Sequence, residues 1–352
     1  MRLVALLVTL VLLTAAALGA IFYFGYQRAH EPYKGFSGDE TFYTIAPGAS
    51  STSIAEALQK NGVIEDSRLF LAVLWYQQAT QSLQAGEYRF SKPSSTFEVI
   101  DCLERGDVFY LSVTIPEGLT LVETAALLEE KGLGNAEELR RVFSRSELIT
   151  SLDPEASDLE GYLFPETYQL PRQPDAEDIA HALVSRFKSV FDAARQNKTV
   201  TRELSLRELV TLASVVEKET GQAGERPLIA SVFWNRIQLG MPLQSDPTII
   251  YALKLQEKYD GNLRRSDLEM DSPYNTYLHR GLPPGPIASP GLESIDAVLD
   301  PPETKFLYFV SKNDGSHHFS KTLREHNQAV RKYQIEYFRN QRRRRNKESG
   351  SS

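Results

Sequence analysis

From Leu3 to Gly25 the chain runs for 23 residues without a charge. A helix rising about 1.5 Å per residue needs about 20 apolar residues to cross a hydrocarbon core of about 30 Å, so this run divides the chain into a membrane-length segment and everything after it. Two readings of the run stay open. The small residues Ala15, Ala16, Ala17, Gly19 and Ala20 suit a signal-peptide cleavage region. The apolar stretch nevertheless continues through Ile21, Phe22, Tyr23 and Phe24, which sets aromatics at the depth of a membrane interface and favours an uncleaved anchor. Charge does not orient it, because Arg2 and the amino terminus on one side oppose Arg28 and Lys34 on the other. No second run of this kind follows, so the sequence after about residue 30 is expected to form one water-exposed body on one side of a membrane.

That body has an ordinary globular make-up. With 41% hydrophobic and 24% charged residues in 352, the chain is neither disordered nor collagen-like, and its length suits two or three domains. A net charge of −7 argues against a general nucleic-acid binder, whose affinity would show as a basic domain. The single cysteine, Cys102, cannot form an internal disulfide, and beside Val99, Ile100 and Leu103 it reads as a small core residue.

The first hundred residues after the apolar run repeat a local pattern: a β-prone run, a Pro-containing turn, a Ser/Thr-x-x-Glu box, a short amphipathic helix and a terminating glycine. The boxes are Ser53/Glu56, Ser95/Glu98 and Thr120/Glu123, and the stops are Gly62, Gly106 and Gly132. Each box would satisfy free N–H groups at a helix start, and each glycine suits a left-handed residue just past the end. The pattern predicts small β-plus-helix units that serve as a spacer or binding module and carry no catalytic constellation. Residues 159–168, LEGYLFPETY, are aromatic and turn-rich, and Ile179, Leu183, Val184, Phe187 and Phe191 lie at helical spacing over 176–191. Glu160 and Glu166 are candidates to line a sugar groove, or are plain solvated residues.

Chemistry is expected from Ser205 onward. Ser205/Glu208 is a further capping box, opening an apolar helix that runs to Gly221. At about 100° per residue, Leu206, Val210, Ala213, Glu217 and Thr220 fall within about 80° of one another, while Glu219 lies about 160° from Glu217. A carboxylate on such an inward stripe is desolvated, which raises its pKa and suits a general acid. Pairing of Glu217 with a buried Arg such as Arg236 would act in the opposite direction, and position alone leaves both open. A second helix is predicted from about Glu225 to Leu239. Loops then carry Gln244, Asp246 and Thr248, followed by Tyr251, by Tyr274, Asn275 and Tyr277, and by the Pro/Gly-rich 281–291. Asn, Gln, Asp and Tyr on well-defined loops are the side chains that bind polyhydroxylated ligands, although the same residues also make ordinary turns.

Other chemistries are poorly supplied. The sequence has no phosphate-binding loop, no G-x-G-x-x-G and no G-x-S-x-G. His317 and His318 are adjacent, point to opposite faces of the strand expected there, and have no Cys or carboxylate at ligand spacing, so no metal site is expected. The tail from Gln341 to Ser352, with Arg342 to Arg345 together, reads as a disordered basic end.

Taken in order, the anchor, LEGYLFPETY, LASVVEKET (212–220), LQSDPT, YNTY and GLPPGPI resemble the endolytic murein transglycosylase, or YceG-like, family over nearly all of the chain after residue 40. The resemblance implies an α+β protein of the bacterial inner membrane: a cytoplasmic tip at 1–2, a transmembrane helix at 3–25 and a linker at 26–40. A LysM-like subdomain at 41–112, an intermediate α/β region at 113–200, a mixed α/β catalytic domain at 201–340 and the tail at 341–352 would follow. It implies a periplasmic enzyme that needs no cofactor and cleaves the β-1,4 bond between N-acetylmuramic acid and N-acetylglucosamine in nascent glycan strands, leaving a 1,6-anhydro end. Penicillin-binding peptidoglycan synthases are the implied partners. Carried onto this chain, the family's catalytic glutamate is read as Glu217, with Gln244, Asp246, Thr248, Asn275 and Tyr277 orienting substrate and Glu166, Tyr251 and Tyr274 lining the groove. Two rivals remain at this level: a hydrolytic muramidase that uses Asp246 or Glu166 to place water, and a non-catalytic peptidoglycan-binding scaffold.

Overall fold

A computed structural model describes residues 2–78, 83–196 and 204–339. The tail singled out above lies outside them. The chain divides into two compact units, residues 1–111 and 112–352.

In the first unit the apolar run forms α1 (Arg2–His30), which continues one turn past the uncharged stretch so that Ala29 is fully buried. It is the one helix among the described residues long and apolar enough to cross a membrane. Next come β1 (Thr41–Ile45), α2 (Ser51–Lys60), α3 (Ser67–Tyr76), β2 (Gly86–Phe90) and α4 (Thr96–Arg105). The two strands pair antiparallel, Thr41 opposite Phe90 and Ile45 opposite Gly86. Helices α2, α3 and α4 pack Ile54, Leu58, Phe70, Leu74, Ile100 and Leu103 into a common core, with Cys102 half-buried at its edge.

Two of the three expected boxes form, Ser95/Glu98 on α4 and Thr120/Glu123 on the first helix of the second unit. The first does not. Helix α2 starts earlier than the Ser53/Glu56 box implies, and the Ser50 hydroxyl caps it by accepting from the Ser53 N–H at 3.1 Å. All three predicted stops adopt positive φ: Gly62 at 70°, Gly106 at 67° and Gly132 at 74°.

The second unit begins within β3 (Leu111–Thr114), which pairs with β4 (Thr167–Leu170). Between them lie α5 (Leu121–Glu130) and α6 (Ala136–Phe143), and after them α7 (Ala176–Gln196), the helix read from the spacing at 176–191. The remainder is α8 (Leu206–Glu219), α9 (Arg226–Gln238), α10 (Asp246–Leu255), α11 (Leu292–Leu299), the antiparallel pair β5 (Tyr308–Ser311) and β6 (His317–Ser320), and α12 (Leu323–Val330). Asp246, Pro247 and Thr248 therefore start a helix and are not loop residues. Pro247 suits that position, because its missing N–H falls where no intrahelical partner exists.

Helix α8 sits at the centre. Every residue from Leu209 to Val216 is buried, so its middle is covered on all sides. LEGYLFPETY supplies part of the cover: Leu159, Tyr162, Leu163 and Phe164 are buried, and the Tyr162 hydroxyl donates to Asp153 Oδ2 at 2.6 Å. The Pro/Gly segment closes another side, where the Ile287 N–H donates to Ser214 Oγ at 3.0 Å.

Candidate active site

The C-terminal end of α8 presents two carboxylates with different surroundings. Both oxygens of Glu217 are taken by donors. Oε1 accepts from Arg226 Nη2 at 3.0 Å, and Oε2 accepts from the Gly291 N–H at 3.1 Å and the Ser294 hydroxyl at 2.7 Å. Arg226 also reaches Glu117 at 2.9 Å and Glu293 at 2.6 Å, so one guanidinium gathers three carboxylates and ties α8, α9 and α11 together. Burial and the neighbouring Glu217 charge push the Glu117 carboxyl above its ordinary range. The Arg partner foreseen for Glu217 is thus Arg226 and not Arg236.

Glu219 closes α8 two residues later. Its Oε1 accepts from the Ser245 hydroxyl at 2.7 Å. Burial pushes its carboxyl up to about 7, with the Asp246 charge adding to the rise and the Ser245 bond and Arg236 opposing it. The helical wheel separates the two glutamates by treating α8 as a helix with one inward stripe. The enclosure of α8 runs from Leu209 to Val216; in the last turn Lys218 is exposed between the two glutamates, while the Glu219 carboxyl, like that of Glu217, is turned inward, so the wheel does not separate them.

Glu219 opens on a cavity of about 300 Å³ lined by Arg236, Gln244, Asp246, Tyr277, Tyr308 and His326, together with Leu243, Phe309 and Leu323. Three of the predicted substrate residues, Gln244, Asp246 and Tyr277, meet here. The Tyr277 hydroxyl donates to Asp246 Oδ1 at 2.5 Å. Gln244 has φ of 51°, a left-handed conformation that a non-glycine residue holds only where its surroundings enforce it. Its backbone N–H donates to the Thr276 carbonyl at 3.0 Å, which fixes the strand of chain entering α10.

The other candidates lie elsewhere. Thr248 is fully buried and spends its hydroxyl on the Ser245 carbonyl at 2.7 Å and on Thr276 at 2.9 Å. Asn275 is fully buried too: its amide donates to the carbonyls of Leu268 at 3.1 Å and Met270 at 2.7 Å, while its side-chain oxygen accepts from the Tyr277 N–H at 3.0 Å. Both brace the loops that carry site residues, since a buried polar group is stable only when paired. Tyr251 is buried against Glu160, donating to Oε2 at 3.2 Å, and its ring meets Tyr274 at 4.9 Å. Glu160, also bonded by the Leu121 N–H at 3.1 Å, is pushed up to about 8 by its burial. Glu166 pairs with Arg186. None of Glu166, Tyr251 and Tyr274 lines the Glu219 cavity.

Sequence reading weighed Glu219 only as the glutamate turned away from Glu217 and Arg236 only as a partner for Glu217, and gave Ser245 and His326 no role in the site. Arg236 is buried beside Glu219, held by the carbonyls of Leu307 at 2.7 Å and Leu243 at 2.8 Å and lying over the Tyr308 ring. His326 stacks on the other side of the site against Tyr308, with ring centroids 5.2 Å apart, and its Nδ1 is buried without a hydrogen-bond partner. Burial and the Arg236 charge lower its pKa, which favours the neutral imidazole. A larger hollow of about 550 Å³ beside Arg207 and Gly281–Pro284 holds no comparable set. There Arg207 is committed to Asp153 and the Pro284 carbonyl, and Glu208 caps α8.

An apolar helix of membrane-spanning length is thus followed by a mixed α/β unit in which a carboxyl held above its ordinary range faces a polar cavity, an arrangement that suits an enzyme. Residues 43–332 match the model of the YceG-like family, and the chain belongs to that family. It is 35% identical over 333 residues to a Bacillus subtilis protein named endolytic murein transglycosylase, covering 90% of this chain and 91% of that one. A Streptococcus pneumoniae protein of the same name is 30% identical over 93% of this chain, which spans 64% of that relative's length. The solved structure of a yceG-like protein from Listeria monocytogenes superposes with a TM-score of 0.56 at 32% identity, covering 82% of this chain and 98% of that one.

Proposed function

We propose that this chain is an endolytic lytic transglycosylase of peptidoglycan, with Glu219 as its acid and base. Family membership and the names of its relatives support the reaction class. The observation that carries the residue assignment is the partly buried Glu219 carboxyl, turned inward onto Ser245 and raised to about 7, facing a cavity with Asp246, Gln244 and Tyr277. An acid with a pKa near the working pH holds its proton until the substrate needs it and then takes one back readily.

The reaction needs one carboxyl. Protonated Glu219 gives its proton to the glycosidic oxygen as the bond to the muramic C1 breaks. The oxocarbenium-like centre that forms is stabilised by the Asp246 carboxylate, whose position Tyr277 fixes. The Glu219 carboxylate then accepts the proton of the muramic 6-hydroxyl as that oxygen bonds to C1. One bond breaks, one forms and no water enters, so the product carries a 1,6-anhydro end. Gln244 and His326 face the sugars from the cavity walls. Glu217, with its oxygens occupied by Arg226, Ser294 and Gly291, holds the end of α8 in place.

In the same reading α1 anchors the chain in the bacterial inner membrane, with the second unit on the periplasmic side. The paired strands and short helices of residues 41–112 act as a LysM-like wall-binding module. Penicillin-binding peptidoglycan synthases, which make the nascent strands, are its working neighbours.

Mass analysis of muropeptides released from sacculi tests the proposal. The full chain is expected to yield anhydro ends, Glu219→Gln none, and Glu217→Gln anhydro ends in proportion to its folded fraction. Products heavier by one water would make the enzyme a hydrolase, and sacculus binding without new ends would make it a scaffold. A folded Glu219→Gln protein that still releases anhydro ends would remove Glu219 from the chemistry.

A further inference from the structure

Helix α3 is apolar on both of its sides. Its sequence, SRLFLAVLWY, has one charge, Arg68, near its start. Phe70, Val73 and Leu74 fill the core of the first unit, while Ala72, Trp75 and Tyr76 are left outside it. Trp75 is 76% exposed and Tyr76 57%. For a water-facing helix of a small unit this is a poor surface, because large aromatics on show mark contact with something else.

The position of α1 indicates what that something is. The Tyr76 ring meets Phe22 of α1 at 6.2 Å, and an apolar cavity of about 300 Å³ lined by Phe22, Tyr26, Leu69, Ala72, Tyr76 and Phe97 joins the two helices without a polar rim. From Leu3 to Phe22 is 19 residue steps, about 28 Å of helix at about 1.5 Å each, close to the hydrocarbon thickness of about 30 Å. Phe22 therefore marks the edge of the hydrocarbon, and Tyr76, packed on it, sits at the depth where Trp and Tyr are enriched in membrane proteins.

We infer that the outer face of α3 lies in the headgroup region of the bilayer that α1 crosses, with Trp75 and Tyr76 as interfacial anchors. The inference rests on the reading of α1 as an uncleaved anchor. The occupant is lipid because the exposed face of α3 runs on into the exposed face of α1, which is itself immersed in lipid. A unit held by one helix alone can swivel about it. A second foothold fixes the tilt of the first unit and the height at which β1 and β2 are presented above the membrane.

Trp75 and Trp234 are the two tryptophans of the chain. Trp234 is buried and is not part of the cavity lining described above, so Trp234→Phe leaves Trp75 as the sole reporter. The full chain with this change is placed in phosphatidylethanolamine–phosphatidylglycerol vesicles, and flotation shows whether it is anchored. Lipids brominated high on the acyl chain are expected to quench Trp75 emission by more than about half, and lipids brominated near the chain end to quench less. Aqueous iodide should quench several-fold less than it does in detergent-free unfolded chain. If the protein floats but iodide reaches Trp75 freely and brominated lipid leaves it unchanged, the inference falls while the anchor stands. Trp75 shielded from iodide yet untouched by brominated lipid means a protein covers α3, which also overturns it. A chain that does not float overturns the anchor and this inference together.

Discussion

Replacing Glu219 by Gln removes a proton-binding group while keeping a neutral side chain of nearly the same shape. In the folded protein the carboxyl holds its proton up to about pH 7, whereas in the unfolded chain it releases it near 4.5. Between those values folding takes up a proton, so stability falls as pH rises and levels off above 7. The interval corresponds to about 3 kcal/mol at about 1.4 kcal/mol per pH unit. The Gln variant lacks this dependence. Its stability relative to the parent is therefore expected to rise by about 3 kcal/mol between pH 4.5 and 8, read from urea midpoints of the second unit in the detergent-solubilised chain. Glu160, with its carboxyl at about 8, imposes a dependence of the same sign on both proteins and cancels in the difference. The same proton should limit turnover, so release of anhydro ends by the parent declines above about pH 7. A stability difference that stays flat to within about 0.5 kcal/mol from pH 5 to 8 means the proton is not held at Glu219, and the acid assignment loses its physical basis.

Asp246→Asn keeps the Tyr277 contact but removes the charge that faces the developing positive centre; the rate of anhydro-end release should fall by about 10²-fold with the urea midpoint little changed. Arg226→Ala leaves Glu217 desolvated and without its cation, at a cost of about 3–5 kcal/mol in urea unfolding, most of it from Glu217 because Glu117 and Glu293 are more exposed. Arg226→Lys should recover little of it, since a point charge cannot serve the same fork of partners. Gly161 has φ of 84°, and an added Cβ would stand 2.5 Å from Pro286 Cβ. Gly161→Ala should cost about 2–4 kcal/mol, backbone strain and overpacking together, measured as a lower urea midpoint.

Local signals were legible wherever a short-range rule decides the outcome. The boxes at Ser95, Thr120 and Ser205, the glycine stops and the spacing over 176–191 all report on residues within one or two turns. Ser53/Glu56 failed because Ser50 offered a cap three residues sooner, which puts Ser53 inside the first turn, where its hydroxyl donates back to the Ser50 carbonyl at 2.8 Å. Helix α3 carried no clean amphipathic period, being apolar on both sides. Its character makes sense only beside α1, which sequence spacing does not place. Gln244, Asp246 and Tyr277, picked out by residue type, come together on the wall of one cavity. Thr248 and Asn275 have the same vocabulary but turn inward, and only the partner carbonyls of Ser245, Leu268 and Met270 reveal it.

Glu217 and Glu219 show why a helical wheel could not choose between them. The wheel asks which side of a helix faces the core, but α8 is enclosed on every side from Leu209 to Val216, and in its last turn both carboxylates bend inward past the exposed Lys218. What separates two enclosed carboxylates is the number of donors brought to each by distant segments. Residues 291 and 294 and Arg226 converge on Glu217 and occupy both of its oxygens. Ser245 alone, through one hydroxyl, reaches Glu219, and Arg236 beside it is already spent on backbone carbonyls. Under the proposed assignment the fully bonded Glu217 is a structural tie. A carboxylate left short of donors in a buried place keeps its proton, and over a cavity of sugar size that proton has somewhere to go.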